Sequence, residues 1–79
     1  MNRDWNQILS EYHDIYSMKI TTSGSIIYVG MAKIGTSQSE DKWQCKKIDS
    51  TDANNIIITW AGNGKFNQIA TDLTTLTYS

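Results

Sequence analysis

The sequence predicts an α+β fold, in which an N-terminal helix packs on a four-stranded antiparallel β-meander of two hairpins, followed by a short C-terminal helix and an extended tail. Residues 1–15 carry apolar side chains at helical spacing. Residues 16–61 contain alternating or β-branched segments separated by polar turns, and residues 62–79 return to helical spacing before a Thr-rich end. A chain of 79 residues with no internal linker is expected to form one domain, residues 1–79.

The N-terminal segment has the pattern of an amphipathic helix. Asp4 is a suitable cap, and the apolar residues that share one predicted stripe are Trp5, Ile8, Leu9, Tyr12 and then Ile15 or Tyr16. A helix of about eleven residues is marginally stable by itself in water, so we expect this stripe to dock on another element.

Two strands with a glycine turn follow. Residues 16–33 alternate and then run apolar on both sides of a predicted turn at Ser23-Gly24. The second strand of this hairpin carries apolar side chains on both faces, which indicates a central strand or one that is covered twice. Gly30 inside it indicates a bulge or the close approach of another group.

The second hairpin comes after a loop over Ile34–Asp41. A strand follows over residues 42–48, and another over residues 56–62 is again apolar on both faces. In the last segment, Phe66, Ile69, Ala70 and Leu73 recur at helical spacing, which predicts a short helix over residues 66–72 before the extended tail.

Composition excludes several classes of protein. The net charge of −1 argues against a dedicated nucleic-acid binder, which needs a basic face. No apolar run approaches the ~18 residues of a membrane span. Cys45 is the one cysteine and His13 the one histidine, so we expect no internal disulfide, no zinc site and synthesis in a reducing cytoplasm.

The sequence predicts no enzyme and no cofactor. The stretch GNGKF at residues 62–66 resembles a phosphate-binding loop, but no Ser or Thr follows Lys65, so a simple turn is favoured. Cys45 and His13 could form a nucleophile–base pair, yet a lone cysteine in a strand is more often a small buried hydrophobe.

Two binding alternatives stay open from the residues alone. Lys42, Lys46 and Lys47 flank Trp43 in a pattern found on single-strand nucleic-acid surfaces, although lysines that protect a strand edge explain it better. The aromatic side chains are also numerous for so small a core. Tryptophan and tyrosine at the periphery suit protein interfaces or stacking on sugars.

The middle and end of the chain resemble a family of short structural proteins of tailed-phage virions. The resemblance covers residues 15–79 and rests on a Tyr-x-Gly-x-Ala strand, a Gly-Thr-x-Ser/Thr-Ser segment, a Trp-x-x-x-Lys-Ile strand, a Trp-Ala pair, a Phe and a final Tyr. The positions concerned are Tyr28, Gly30, Ala32, Gly35, Thr36, Ser37, Ser39, Trp43, Lys47, Ile48, Trp60, Ala61, Phe66 and Tyr78. The chain departs from the pattern where relatives carry W-x-x-R, since it has IATDLTTL there. It also has GMAKIG where a proline often precedes the glycine.

The resemblance implies a non-enzymatic subunit of a virion, in head, neck, tail or fibre, made in the cytoplasm of the bacterial host. Its partners would be other virion proteins or copies of itself, with no small-molecule substrate, nucleic acid or membrane. The residues expected at contacts are Tyr28, Met31, Ile34, Thr36, Ser37, Trp43 and Tyr78. The loop over Ile34–Asp41 is expected to order against an adjacent subunit. The alternatives are a virion-borne adhesin or carbohydrate-binding module, and a small single-strand nucleic-acid-binding or regulatory protein.

Overall fold

The computed structural model describes residues 16–79. Four strands form one antiparallel sheet in the order of the chain. They are β1 (Tyr16–Ser23), β2 (Ile26–Lys33), β3 (Gln44–Asp49) and β4 (Ile57–Trp60). Every strand therefore pairs with its neighbour along the chain, as the alternating segments predicted, and β1 and β4 are the two edges.

The first hairpin is tight. Ser23 pairs with Ile26 across a loop of Gly24 and Ser25, one residue beyond the predicted turn. Gly24 has a φ of 59°, a conformation that side-chain-bearing residues avoid. The turn fixes the register of β1 on β2, and that register decides which side chains share a face.

The sheet has two unlike faces. We call one the packed face; in the registers of the four strands it carries Lys19, Tyr28, Gly30, Ala32, Cys45, Lys47 and Thr59. We call the other the open face; it carries Met18, Ile20, Ile27, Val29, Met31, Ile48, Ile58 and Trp60. Both faces are rich in apolar residues, but they are covered very differently.

The packed face is covered by the chain that follows β4. The buried core consists of Ala32, Trp43, Cys45, Ala61, Ala70 and Leu73, with Tyr28, Leu76 and Tyr78 packed against it. Two isolated bridges fasten this C-terminal segment to the sheet, one between Trp43 and Gln68 and one between Ala61 and Tyr78. In the first bridge, each backbone N–H donates to the other residue's carbonyl at 2.9 Å.

The predicted fold class, α+β, is wrong. Residues 16–79 form an antiparallel sheet with two short 3₁₀ turns, Gly62–Gly64 and Leu73–Thr75, and contain no α-helix. The predicted N-terminal helix falls on residues 1–15, outside the described residues. The predicted helix over residues 66–72 is absent from the structure, and the chain there is held in extended form by the bridge at Gln68.

Local backbone conformation explains why no helix starts after β4. Gly62, Asn63 and Gly64 all have positive φ, between 57° and 76°, which turns the chain left-handed where a right-handed helix would begin. Asn63, a residue type that often caps a helix, lies inside this turn and caps no helix. Only two of the four apolar residues with helical spacing are buried. Ala70 and Leu73 are buried, whereas Phe66 and Ile69 are exposed.

Candidate interaction surface

The open face is an apolar surface that the described residues leave uncovered. Met18 and Ile20 on β1 are each 61% exposed, and Ile58 on β4 is 50% exposed. An antiparallel sheet with one solvated face normally alternates apolar and polar side chains, with the polar ones facing water. In this sheet the side that residues 16–79 leave uncovered is apolar too, which is the pattern of a sheet that is covered on both faces.

The centre of the open face is a shallow groove. Its volume is about 130 Å³, and the residues that line it are Met18, Val29, Met31, Gln44, Lys46 and Trp60. Val29 lies at the bottom and is only 8% exposed. The side chains around it therefore form a concave apolar patch to which a protruding apolar group can bind.

Charge on this face is sparse and of one sign. In the strand registers, Lys33 and Lys46 are its charged residues, and no carboxylate of the four strands shares this face. The Lys46 ammonium lies 5.4 Å from the centre of the Trp60 ring, where the ring's electrons attract a cation. Its carbon stem meanwhile extends the apolar surface.

On the other side of the sheet, Lys19 holds three parts of the chain together. Its Nζ donates to Gln38 Oε1 at 2.9 Å, to the Ala70 carbonyl at 2.8 Å and to the Thr71 carbonyl at 2.9 Å. An ammonium has three donors, so all three are used. This residue links β1 to both the loop before β3 and the C-terminal segment.

The loop over residues 34–41 is held by hydrogen bonds to other residues of the same chain. Trp43 Nε1 donates to the Ser37 carbonyl at 2.9 Å, and the Ala70 N–H donates to the Gln38 carbonyl at 2.8 Å. The Ser37 N–H in turn donates to Glu40 Oε2 at 3.0 Å. These contacts order the loop within one chain, which the sequence had not indicated, and contact of the loop with a neighbour stays a prediction.

The predicted contact residues do not form one surface. Met31 lies on the open face, and Ile34, 60% exposed, projects from the start of the loop. Thr36 is half-buried and Ser37 is exposed. Trp43 is only 3% exposed, so it can influence an interface only by positioning Ser37.

Tyr28 and Tyr78 lie together on the packed side. Their ring centres are 5.6 Å apart, and the Tyr78 hydroxyl donates to the Leu73 carbonyl at 2.8 Å. Burial, followed by the proximity of Cys45 and Tyr28, raises the pKa of Tyr78 to about 12. These two side chains complete the core of the chain, and their contribution to an interface is limited to what remains exposed.

The basic pattern around Trp43 separates in space. Lys46 lies on the open face, whereas Lys47 lies on the packed face, with its ammonium 5.9 Å from the centre of the Tyr78 ring. Trp43 is buried and offers no ring for a base to stack on. The arrangement offers no continuous basic and aromatic track.

Sequence analysis missed the side chains that make the open face distinctive: Met18, Ile20, Ile27, Ile58 and Trp60. The signal was present in the two-sided apolar character of β2 and β4. It indicated coverage on both faces, and the structure shows which of the two faces the described chain leaves uncovered.

A second concavity lies at the end of the sheet where β1 begins. Its volume is about 360 Å³, and the described residues that line it are Tyr16, Lys33, Thr36, Lys42 and Phe66. The rings of Tyr16 and Phe66 are stacked, with centres 6.1 Å apart. We call this concavity the end groove.

Reactive chemistry is sparse in the described part of the chain. Cys45 is fully buried, and burial raises the pKa of its thiol, which disfavours the reactive thiolate. Within residues 16–79, no three His, Cys, Asp or Glu side chains are grouped as metal ligands. The same residues include no helix with the length and apolarity needed to cross a bilayer.

Comparison with known proteins gives no match to a family model, to a curated protein or to a solved structure.

Proposed function

We propose that this chain is a non-enzymatic structural subunit of a tailed-phage virion and works through repeated contacts with neighbouring copies of itself. The observation that carries the proposal is the open face, an apolar sheet surface that residues 16–79 leave uncovered. The resemblance to short virion proteins supports the viral setting. No feature of the described residues supports a catalytic role.

The occupant we assign to the open face is a second copy of the same chain. Four strands about 4.8 Å apart, with about six residues each, make a surface of roughly 400 Å². Two such surfaces bury about 800 Å² in total, less than the roughly 1,200–2,000 Å² of a stable isolated dimer. A contact of this size is weak alone and becomes strong when symmetry repeats it in an assembly.

Self-association tests this contact. We expect sedimentation equilibrium of the purified full chain to give a mass that rises with concentration. Added salt should favour association, since it screens repulsion between the Lys46 residues of two copies. Ile58→Asp should weaken association by roughly tenfold or more, because it places a charge in the buried contact.

The chain offers a matched control for this substitution. Ile57 precedes Ile58 on the same strand, is 59% exposed and projects from the opposite face. Ile57→Asp should therefore leave the association constant near that of the unsubstituted chain. A concentration-independent monomer, or equal effects of the two substitutions, would rule out the open face as the contact.

The viral setting is tested separately. Mass spectrometry of purified particles of the phage that encodes the chain should detect it in a copy number set by the symmetry of one part of the particle. Absence from washed particles during a productive infection would end the proposal of a virion subunit, whatever the sedimentation result.

A further inference from the structure

The geometry of the end groove points to a binding site for an acidic sugar, a function beyond assembly. Two cations and two aromatic rings converge on one concavity there. Its volume of about 360 Å³ lies at the lower end of the range of small-molecule sites, about 300–1,000 Å³. The argument rests on the groove alone and does not require the open face to be an interface.

The charge of the groove is uncompensated among the described residues. Lys33 and Lys42 line it, and the ammonium group of neither makes an ion pair or a hydrogen bond within residues 16–79. The two acidic residues that precede Lys42 in the chain do not line the groove. One of them, Glu40, accepts a hydrogen bond from the Ser37 N–H. Two ammonium groups on one concavity favour a ligand that carries a carboxylate.

The remaining lining suits the ring of a sugar. Phe66, 44% exposed, and the half-buried Tyr16 supply an apolar wall against which the C–H face of a pyranose can pack. The hydroxyls of Thr36 and Tyr16 make no hydrogen bond within the described residues and so are free to pair with sugar hydroxyls. The combination selects a saccharide with one acidic group.

A nucleic-acid strand fits the same groove less well. A strand needs a continuous basic track, and the next lysines of the chain, Lys46 and Lys47, lie on opposite faces of the sheet.

Titration of the full chain followed by NMR tests the site. The ligand tested is glucuronate, and glucose is the uncharged control. An oligothymidylate tests whether the groove binds a nucleic-acid strand instead. We expect saturable shifts confined to residues of the end groove, with a dissociation constant of the order of millimolar, and binding of glucose at least about tenfold weaker. Lys42→Met should weaken glucuronate binding about fivefold or more, whereas Lys65→Met, an exposed lysine outside the groove, should not.

Phe66→Ala provides a second variant, because it removes the apolar wall and keeps both cations. It should weaken glucuronate and the weak glucose binding alike. Absence of saturable shifts, equal binding of glucose and glucuronate, or salt-sensitive binding of the oligothymidylate in place of glucuronate would each overturn the inference. None of these outcomes bears on the sedimentation test of the open face.

Discussion

Gly30 and Leu73 are in contact across the packed face, so close that a Cβ built on the glycine would lie 3.3 Å from Leu73 Cδ2. The same Cβ would lie 3.3 Å from Trp43 Cε3. The two neighbours belong to different segments, and both are buried. Gly30 therefore lets the C-terminal segment and the loop before β3 reach the sheet at one point.

Gly30→Ala should destabilise the fold by about 1 kcal/mol. Crowding of a well-packed core costs about 1–3 kcal/mol, and the smaller conformational entropy of unfolded alanine returns about 0.4–1 kcal/mol. Urea unfolding measures the difference. Ser23→Ala, at an exposed position near the end of β1, is the control and should change stability by less than about 0.5 kcal/mol. If Gly30→Ala were more stable than the unsubstituted chain, the side chains of Leu73 and Trp43 would be able to move away from the added methyl group at little cost.

The close contact at Gly30 was only partly predictable from the sequence. A glycine inside an apolar strand predicted either a bulge or a close neighbour, and the structure has the close neighbour. The strands themselves were predictable because alternation and Gly24 are local signals. The identity of the group that approaches Gly30 was not, since it depends on a residue 43 positions away in the chain.

The C-terminal segment was mispredicted for a related reason. Helical spacing in residues 66–73 is a pattern of side chains, but three successive left-handed residues and the bridge between Trp43 and Gln68 decide the backbone. The open face was indicated by the two-sided apolar strands, yet strand pairing was needed to know which apolar side chains share a surface.

Lys19→Met should loosen the loop and the C-terminal segment together. The substitution keeps most of the apolar stem and removes the three donors that hold Gln38, Ala70 and Thr71. Because these acceptors are at least partly open to water, we expect a loss of about 1–2 kcal/mol in the free energy of unfolding. Amide hydrogen exchange should speed up at Ala70, whose N–H donates to Gln38.

Lys33→Met is the matched control for this prediction. Lys33 lies on the neighbouring strand, and its side chain makes no hydrogen bond within residues 16–79, so loss of its ammonium group should leave exchange at Ala70 unchanged. Equal effects of the two substitutions would mean that the charge of the sheet, and not the three hydrogen bonds of Lys19, holds the segments.

Deletion of residues 36–39 should destabilise the isolated chain. The deletion removes the Ser37 carbonyl that accepts from Trp43 and the Gln38 groups that bind Lys19 and Ala70. A buried indole N–H without a partner costs about 1–3 kcal/mol by itself. Thermal unfolding checks this, and Ser39→Ala, which keeps both of these carbonyls, should have a much smaller effect. An unchanged melting temperature after the deletion would show that the loop contributes nothing to the fold.

Alkaline pH should weaken the fold through Tyr78. Its pKa is raised to about 12, chiefly by burial, so the folded state holds the phenolic proton more tightly than the unfolded state does. The stabilisation is complete below the ordinary tyrosine pKa, near 10, and is lost as pH rises through the folded value. Burial raises the pKa of Cys45 as well, which adds to the loss in the same direction.

Tyr78→Phe isolates the tyrosine contribution. Near pH 7 the variant should be less stable by about 1 kcal/mol, because it lacks the hydrogen bond to the Leu73 carbonyl. As pH rises above about 10, Tyr78 of the unfolded chain loses its proton while the folded chain still holds it, because the folded pKa is about 12. Unfolding of the unsubstituted chain therefore becomes easier, whereas the Phe variant has no proton to lose at this position, so the difference should shrink. Urea unfolding at several pH values between about 7 and 11 measures it. Tyr28→Phe, which removes a neighbouring phenol and keeps the bond to Leu73, should not reproduce this convergence. A difference between Tyr78→Phe and the unsubstituted chain that stays constant over the whole range would contradict the role of the Tyr78 proton.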